Sequence, residues 1–173
     1  SCHGSARGQD GFRLSLFGFD PDGDFARLTR ESPGRRVNLA RPESSLLLEK
    51  AAGRVTHTGG RLLGEDSRLY DTLVRWIRAG APEDHAGLPE PVSLEVYPRE
   101  IISEGDGRSQ QLVARVRYSD GTDRDVTGEA VFISNNAPTA SVSDRGRVLS
   151  GKPGEAFVMA RYATFTVGTP VIV

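Results

Sequence analysis

Apolar positions change their period once along this chain, and the change divides it. From Val92 onward they alternate with polar ones: Val92, Leu94 and Val96, then Leu112, Ala114, Val116 and Tyr118. A period of two marks strands that bury one face. Asp120-Gly121 is a hairpin signal, and the acids from Asp120 to Asp125 read as a solvated turn. Further short runs lie at 125–134, 140–143, 147–150, 155–163 and 166–173, so about seven strands are expected, as in a β-sandwich. Ala156, Val158 and Ala160 belong to the inward set, which turns Met159, the only methionine, outward.

Earlier in the chain the pattern is helical or irregular. Phe12, Leu14 and Leu16 share one side of an extended segment, and Asp20-Pro21-Asp22-Gly23-Asp24 follows. This acidic run does not fit the calcium-loop spacing, because its glycine falls one place early and no closing Glu follows. It reads as a turn capping a short helix over 24–31. Pro42-Glu43 opens a second helix with Leu46, Leu47 and Leu48 on its apolar side, ended by Gly53. Residues 54–65 are loop. A third helix starts at Asp66 or Ser67 and sets Leu69, Tyr70, Leu73, Val74, Trp76 and Ile77 on one broad face. Gly80 and Pro82 end it.

Three prolines over 81–91 and no apolar periodicity make 83–91 a linker. The expected organisation is two domains, 1–82 and 92–173. The first has few apolar residues for its length, and a bound cofactor would give such a chain a surface to pack on. The formal net charge of −1 is spread over both halves, which argues against a nucleic-acid surface. No apolar run reaches the roughly 18–20 residues of a membrane span. A lone cysteine excludes an internal disulfide and leaves the compartment open.

That cysteine, Cys2, is followed directly by His3. A Cys-His pair ends the haem-attachment motif C-x-x-C-H, in which the cysteines form thioethers and the histidine binds iron. The chain is read as a fragment cut inside such a motif. A metal site from Cys2, His3, His57 and His85 lacks the usual spacing of zinc ligands. Nucleophilic catalysis by Cys2 with His3 is poor, since neighbouring side chains diverge and no third group orients them.

Two resemblances cover nearly the whole chain. Residues 1–82 resemble the cytochrome c-like domain of large exported proteins abundant in planctomycetes. The matching pieces run from Ser1-Cys2-His3-Gly4-Ser5 through Gly11-Phe12-Arg13-Leu14-Ser15-Leu16 and Gly18-Phe19-Asp20-Pro21. They continue with Arg36-Val37-Asn38-Leu39-Ala40, Pro42-Glu43-Ser44-Ser45-Leu46-Leu47-Leu48 and Trp76-Ile77-Arg78-Ala79-Gly80-Ala81-Pro82. Residues 91–173 resemble a bacterial Ig-like domain of group 2, through Tyr118-Ser119-Asp120-Gly121-Thr122, Asp125-Val126-Thr127, Gly146-Arg147-Val148 and Gly154-Glu155-Ala156. The implied fold class is a small, mainly α, cytochrome c-like domain plus an all-β Ig-like sandwich.

The first resemblance implies haem c, with Cys2 as the second thioether and His3 as the proximal iron ligand. Without the upstream cysteine the fragment holds haem by one thioether at most. The family tends to read His-Gly-Gly-Gly where this chain has His57-Thr58-Gly59-Gly60, so His57 is the candidate distal ligand. Met159 would have to cross a domain boundary, and His85 lies in the linker. Tyr70, Trp76, Phe12 and Leu14 are candidates to pack against the porphyrin, and Arg7, Arg13, Arg54 and Arg61 to pair with its propionates. The implied function is electron transfer, not enzymatic catalysis, in the periplasm or at the cell surface. A redox partner protein of unread identity and other domains of a parent chain would be its partners. The alternative is a surface or carbohydrate-associated binding module in which redox is incidental.

Overall fold

Alternation from Val92 onward does become strand, and the strands outweigh the helices. The computed structural model describes residues 3–173. Strands hold 29% of the chain in three sheets and helices only 19%, so the expectation of a mainly α first domain is corrected. By contacts the chain divides into two units, Ser1–Ala86 and Gly87–Val173.

The first unit contains three short helices, α1 Pro21–Thr29, α2 Leu46–Ala51 and α3 Arg68–Arg78, joined by turns and irregular chain. The Asp20 side chain accepts from the Gly23 amide at 3.1 Å, and Pro21 sits in the first turn. This cap starts α1 three residues before the helix expected at 24–31. The helix expected from Pro42 is broken. Pro42–Ser44 is a single 3-10 turn, and Ser45 is extended because its buried hydroxyl accepts from the Asn38 amide at 3.0 Å. That side-chain bond competes with helix propagation. Helix α3 matches its pattern except at Leu69, which is exposed, and is capped by Ser67 Oγ, which accepts from the Tyr70 amide. Val37, Leu48, Ala52, Tyr70, Val74, Ile77 and Ala81 form the unit's core, with Leu73 and Trp76 against it.

The second unit carries ten strands rather than about seven. They are β1 Pro91–Tyr97, β2 Ile101–Ile102, β3 Ser109–Gln111, β4 Val113–Tyr118 and β5 Asp123–Asp125. Then come β6 Val131–Ser134, β7 Ala140–Val142, β8 Arg147–Ser150, β9 Glu155–Tyr162 and β10 Phe165–Ile172. The expected pair of sandwich sheets resolves into three, ordered β1-β4-β5, β2-β10-β9-β6 and β3-β8-β7. Leu94 and Val96 pair with Val116 and Ala114, so the alternating residues of β1 and β4 share a face. With Phe132, Val148, Ala156, Val158, Ala160 and Val171 they build one core from all three sheets. The Asp120-Gly121 turn joins β4 to β5, and Asp120 Oδ1 accepts from the amide and hydroxyl of Thr122.

Candidate functional site

The site grows from a tight turn near the start of the chain. Gln9 and Phe12 exchange backbone hydrogen bonds of 2.9 and 3.0 Å, and this turn fixes the Phe12 carbonyl. His3 Nδ1 lies 3.0 Å from that carbonyl oxygen, and the His3 carbonyl accepts from the Leu14 amide at 3.0 Å. A carbonyl oxygen only accepts, so Nδ1 carries the proton and Nε2 of the neutral ring keeps its lone pair. Such a bond is how proteins orient a ligating histidine and raise its basicity.

Two contacts around the turn had no signal in the sequence pattern. Gly8 has φ +66°, and a Cβ there would stand 2.2 Å from the Phe12 oxygen, so only glycine lets the chain pass that carbonyl. The Arg36 guanidinium lies 4.5 Å from the Phe12 ring centroid, a cation–π distance, and donates to the Gly11 and Glu31 carbonyls. Phe12 packs in turn against His3 at 4.9 Å between centroids.

His57 arrives from the loop between α2 and α3. Its carbonyl accepts from the Gly60 amide at 2.9 Å, closing a turn around Gly59. A Cβ at Gly59 would lie 2.8 Å from His57 Cε1, so the glycine makes room for the ring. His57 Nδ1 is the one buried side-chain polar atom without a hydrogen-bond partner among the described residues. An orphaned buried polar atom costs about 1–3 kcal/mol, and such atoms call for a missing partner.

The two imidazoles, far apart in sequence, come together. Their centroids are 5.9 Å apart and their planes differ by 6°. At that spacing the rings are at most offset-stacked. A metal–imidazole bond of about 2.0 Å, plus about 1 Å from nitrogen to centroid, lets two rings up to about 6 Å apart share one metal when their nitrogens face each other. The pair supplies two donors. Among the described residues no group of three or more His, Cys, Asp or Glu stands ready for a metal ion, and a structural zinc asks for four ligands. Haem iron carries four macrocycle nitrogens and takes axial ligands from the protein. Two imidazole nitrogens are the donor type that a haem iron takes from a protein.

The remaining candidates fall as follows. Cys2 lies outside the described residues. Phe12 is at the site, and half-buried Leu14 lines an open cleft of about 460 Å³ with Gly4, Arg13 and Leu16. The cleft begins at the residue after His3 but includes neither imidazole. Tyr70 sits in the core, and its hydroxyl accepts from Arg54 at 3.0 Å. Trp76 donates from Nε1 to the Pro82 carbonyl at 2.9 Å and packs edge-on to Phe25. Arg13 and Arg61 donate to the Ala6 and Leu63 carbonyls, and Arg54 to the Glu43 carbonyl. His85 is exposed, and Met159 lies on the outer face of β9 in the second unit. Among the described residues no helix is long and apolar enough to cross a membrane. A scan against protein-family models matches none, and a search of the curated proteins finds no match.

Proposed function

We propose that the first unit holds a c-type haem between His3 and His57, tethered through Cys2, and serves as an electron-transfer module. The supporting observation is the near-parallel imidazole pair at 5.9 Å, one ring oriented through Nδ1 and the other bearing a buried, unpartnered nitrogen. When bound, the group supplies one-electron iron redox. The chain's own residues do the rest. The Phe12 carbonyl holds the His3 proton at Nδ1 and leaves Nε2 as donor. Phe12 and Leu14 provide apolar surface near the opening of the chain, while Tyr70 and Trp76 brace the small core behind it. The proposal places the protein outside the cytoplasm, in the periplasm or at the cell surface, where c-type haem is attached in bacteria. There the second unit spaces the module from other domains, and a redox protein exchanges electrons with it.

Extending the chain by Cys-Ala before Ser1 completes C-x-x-C-H. Expressed in a host that matures c-type cytochromes, this protein is expected to carry covalent haem and a low-spin spectrum with split bands on reduction. His57→Ala is expected to convert that spectrum to high spin. An unchanged low-spin spectrum would remove His57 from the assignment, and a colourless, fully folded product would leave a binding module without redox chemistry.

A further inference from the structure

The outer face of the β2-β10-β9-β6 sheet is apolar where an outer face is ordinarily polar. Glu155, Phe157, Met159 and Arg161 of β9 point outward, alternating with buried Ala156, Val158 and Ala160. The register sets Pro170 beside Phe157, Gly168 and Ile133 beside Met159, and Ile172 with Ile102 beyond Glu155. Phe157 is 50% exposed, Ile133 54% and Ile102 72%. Single exposed apolar residues need no explanation, but a contiguous row across four strands marks an interaction surface.

The β1-β4-β5 sheet supplies the contrast. Its outward positions Glu95, Arg115, Arg117, Asp123 and Asp125 are charged and cross-paired, with Arg115 and Asp123 bridged at 2.6 Å, while the outward Tyr97–Val113 pair at one end is apolar. One face of this unit is built for water and the other is not.

Charge selects the occupant. On the apolar face, β9 carries an acid at one end and a base at the other. The two are six strand residues apart, about 20 Å. Arg161 is steadied by a 3.1 Å bond from Nε to Thr166 Oγ1. A two-fold axis lying in the interface and crossing β9 at Val158 sets each copy's Glu155 against the other copy's Arg161, twice. The same axis sets Phe157 on Met159, a sulfur–aromatic contact, also twice. The face is complementary to itself in charge.

We infer that this face is the interface of a two-fold dimer, two copies stacking these sheets with β9 antiparallel across the axis. Stacked sheets pack about 10 Å apart, and two faces of about 20 by 15 Å bury roughly 600 Å² together, below the size of stable specific interfaces, so association is weak, transient and concentration-dependent. It requires no haem and stands apart from the redox reading.

Sedimentation equilibrium of the full chain over a wide concentration range tests it. The mass of the unaltered protein is expected to rise from one chain towards two and stop there. Glu155→Arg and Arg161→Glu each place like charges across the axis twice, and each is expected to weaken association at least about tenfold. Combining the two substitutions restores opposite charges and is expected to restore the dimer. Circular dichroism and an unchanged thermal midpoint show that these surface variants fold. A protein that stays monomeric at the highest concentration, grows beyond two chains, or dimerises regardless of the single reversals overturns the inference. So does a double variant that fails to recover.

Discussion

The two units are almost equal in length but spend their residues differently. Among the described residues, fifteen buried apolar side chains form the core of the second unit, while seven form that of the first. The difference follows from element type. Each long strand of the second unit presents every other residue to a shared interior, and β9 alone contributes Ala156, Val158 and Ala160. In the first unit the helices are short, so each offers only a turn or two of apolar surface. A unit with this core is one that a large apolar cofactor would complete, which is the physical content of the redox proposal.

The largest effect that can break this comparison comes from equal cuts in the two cores. Leu48 and Leu112 are each fully buried, and truncating a buried leucine to alanine costs about 2–5 kcal/mol. In haem-free protein, Leu48→Ala is expected to reduce hydrogen-exchange protection of the first unit to background. Leu112→Ala is expected to lower the denaturation midpoint of the second unit while leaving it folded. If protection in the first unit survives Leu48→Ala, its small core is sufficient alone, and the argument for a completing cofactor loses its footing.

A smaller effect sharpens the role of the opening turn. Gly8→Ala drives a methyl into the Phe12 carbonyl at a positive φ, and strain of this kind costs about 1–3 kcal/mol. Gly11→Ala, at φ +73° with nothing within 4 Å of the added carbon, carries the backbone cost alone. The difference between the two variants therefore isolates the close approach. Gly8→Ala is expected to shift the His3 Nδ1–H resonance in nitrogen-resolved NMR and lower the midpoint of the first unit more than Gly11→Ala does. The second unit should not respond to either. Equal effects would show that the carbonyl's position does not depend on Gly8.

How far the sequence could be read follows the same division. Alternation in β1, β4 and β9, and the Asp120-Gly121 turn, were legible because a strand's period and a hairpin's turn residues are local signals. The ends of α3 were legible for the same reason, through the Ser67 cap and Gly80. The mainly α expectation for the first unit failed at particular residues. Ser45 spends its hydroxyl on the Asn38 amide and interrupts the helix that three leucines suggested. The extended segment expected through Leu16 instead turns at Leu16–Gly18, with Phe17 at φ 58°. His3 and His57 were recognisable as candidates one at a time. Their parallel approach depends on Gly8, Gly59 and the Arg36–Phe12 contact, which are long-range or steric facts that no periodicity carries.

The mildest test lies in the second unit and depends on pH. Tyr162 has its phenol pushed up from 10.0 to about 12, chiefly by burial and next by its hydrogen bond with Tyr118, against a lowering by Arg124. The two hydroxyls are 3.4 Å apart. The folded unit thus keeps a proton that the unfolded chain releases. Stability from this group is fully present below pH 10 and is lost as pH rises towards 12, because over that window the native state binds more protons. The urea midpoint of the second unit is expected to fall across that interval, in step with phenolate absorbance. Tyr118→Phe removes one of the causes that raise Tyr162, so its ionisation in the folded unit should begin at lower pH, and the decline, still starting near pH 10, should end earlier and be smaller. A midpoint that stays level from pH 10 to 12 while the phenols ionise would show that Tyr162 is as solvated as an unfolded tyrosine, and that this end of the larger core is looser than its packing indicates.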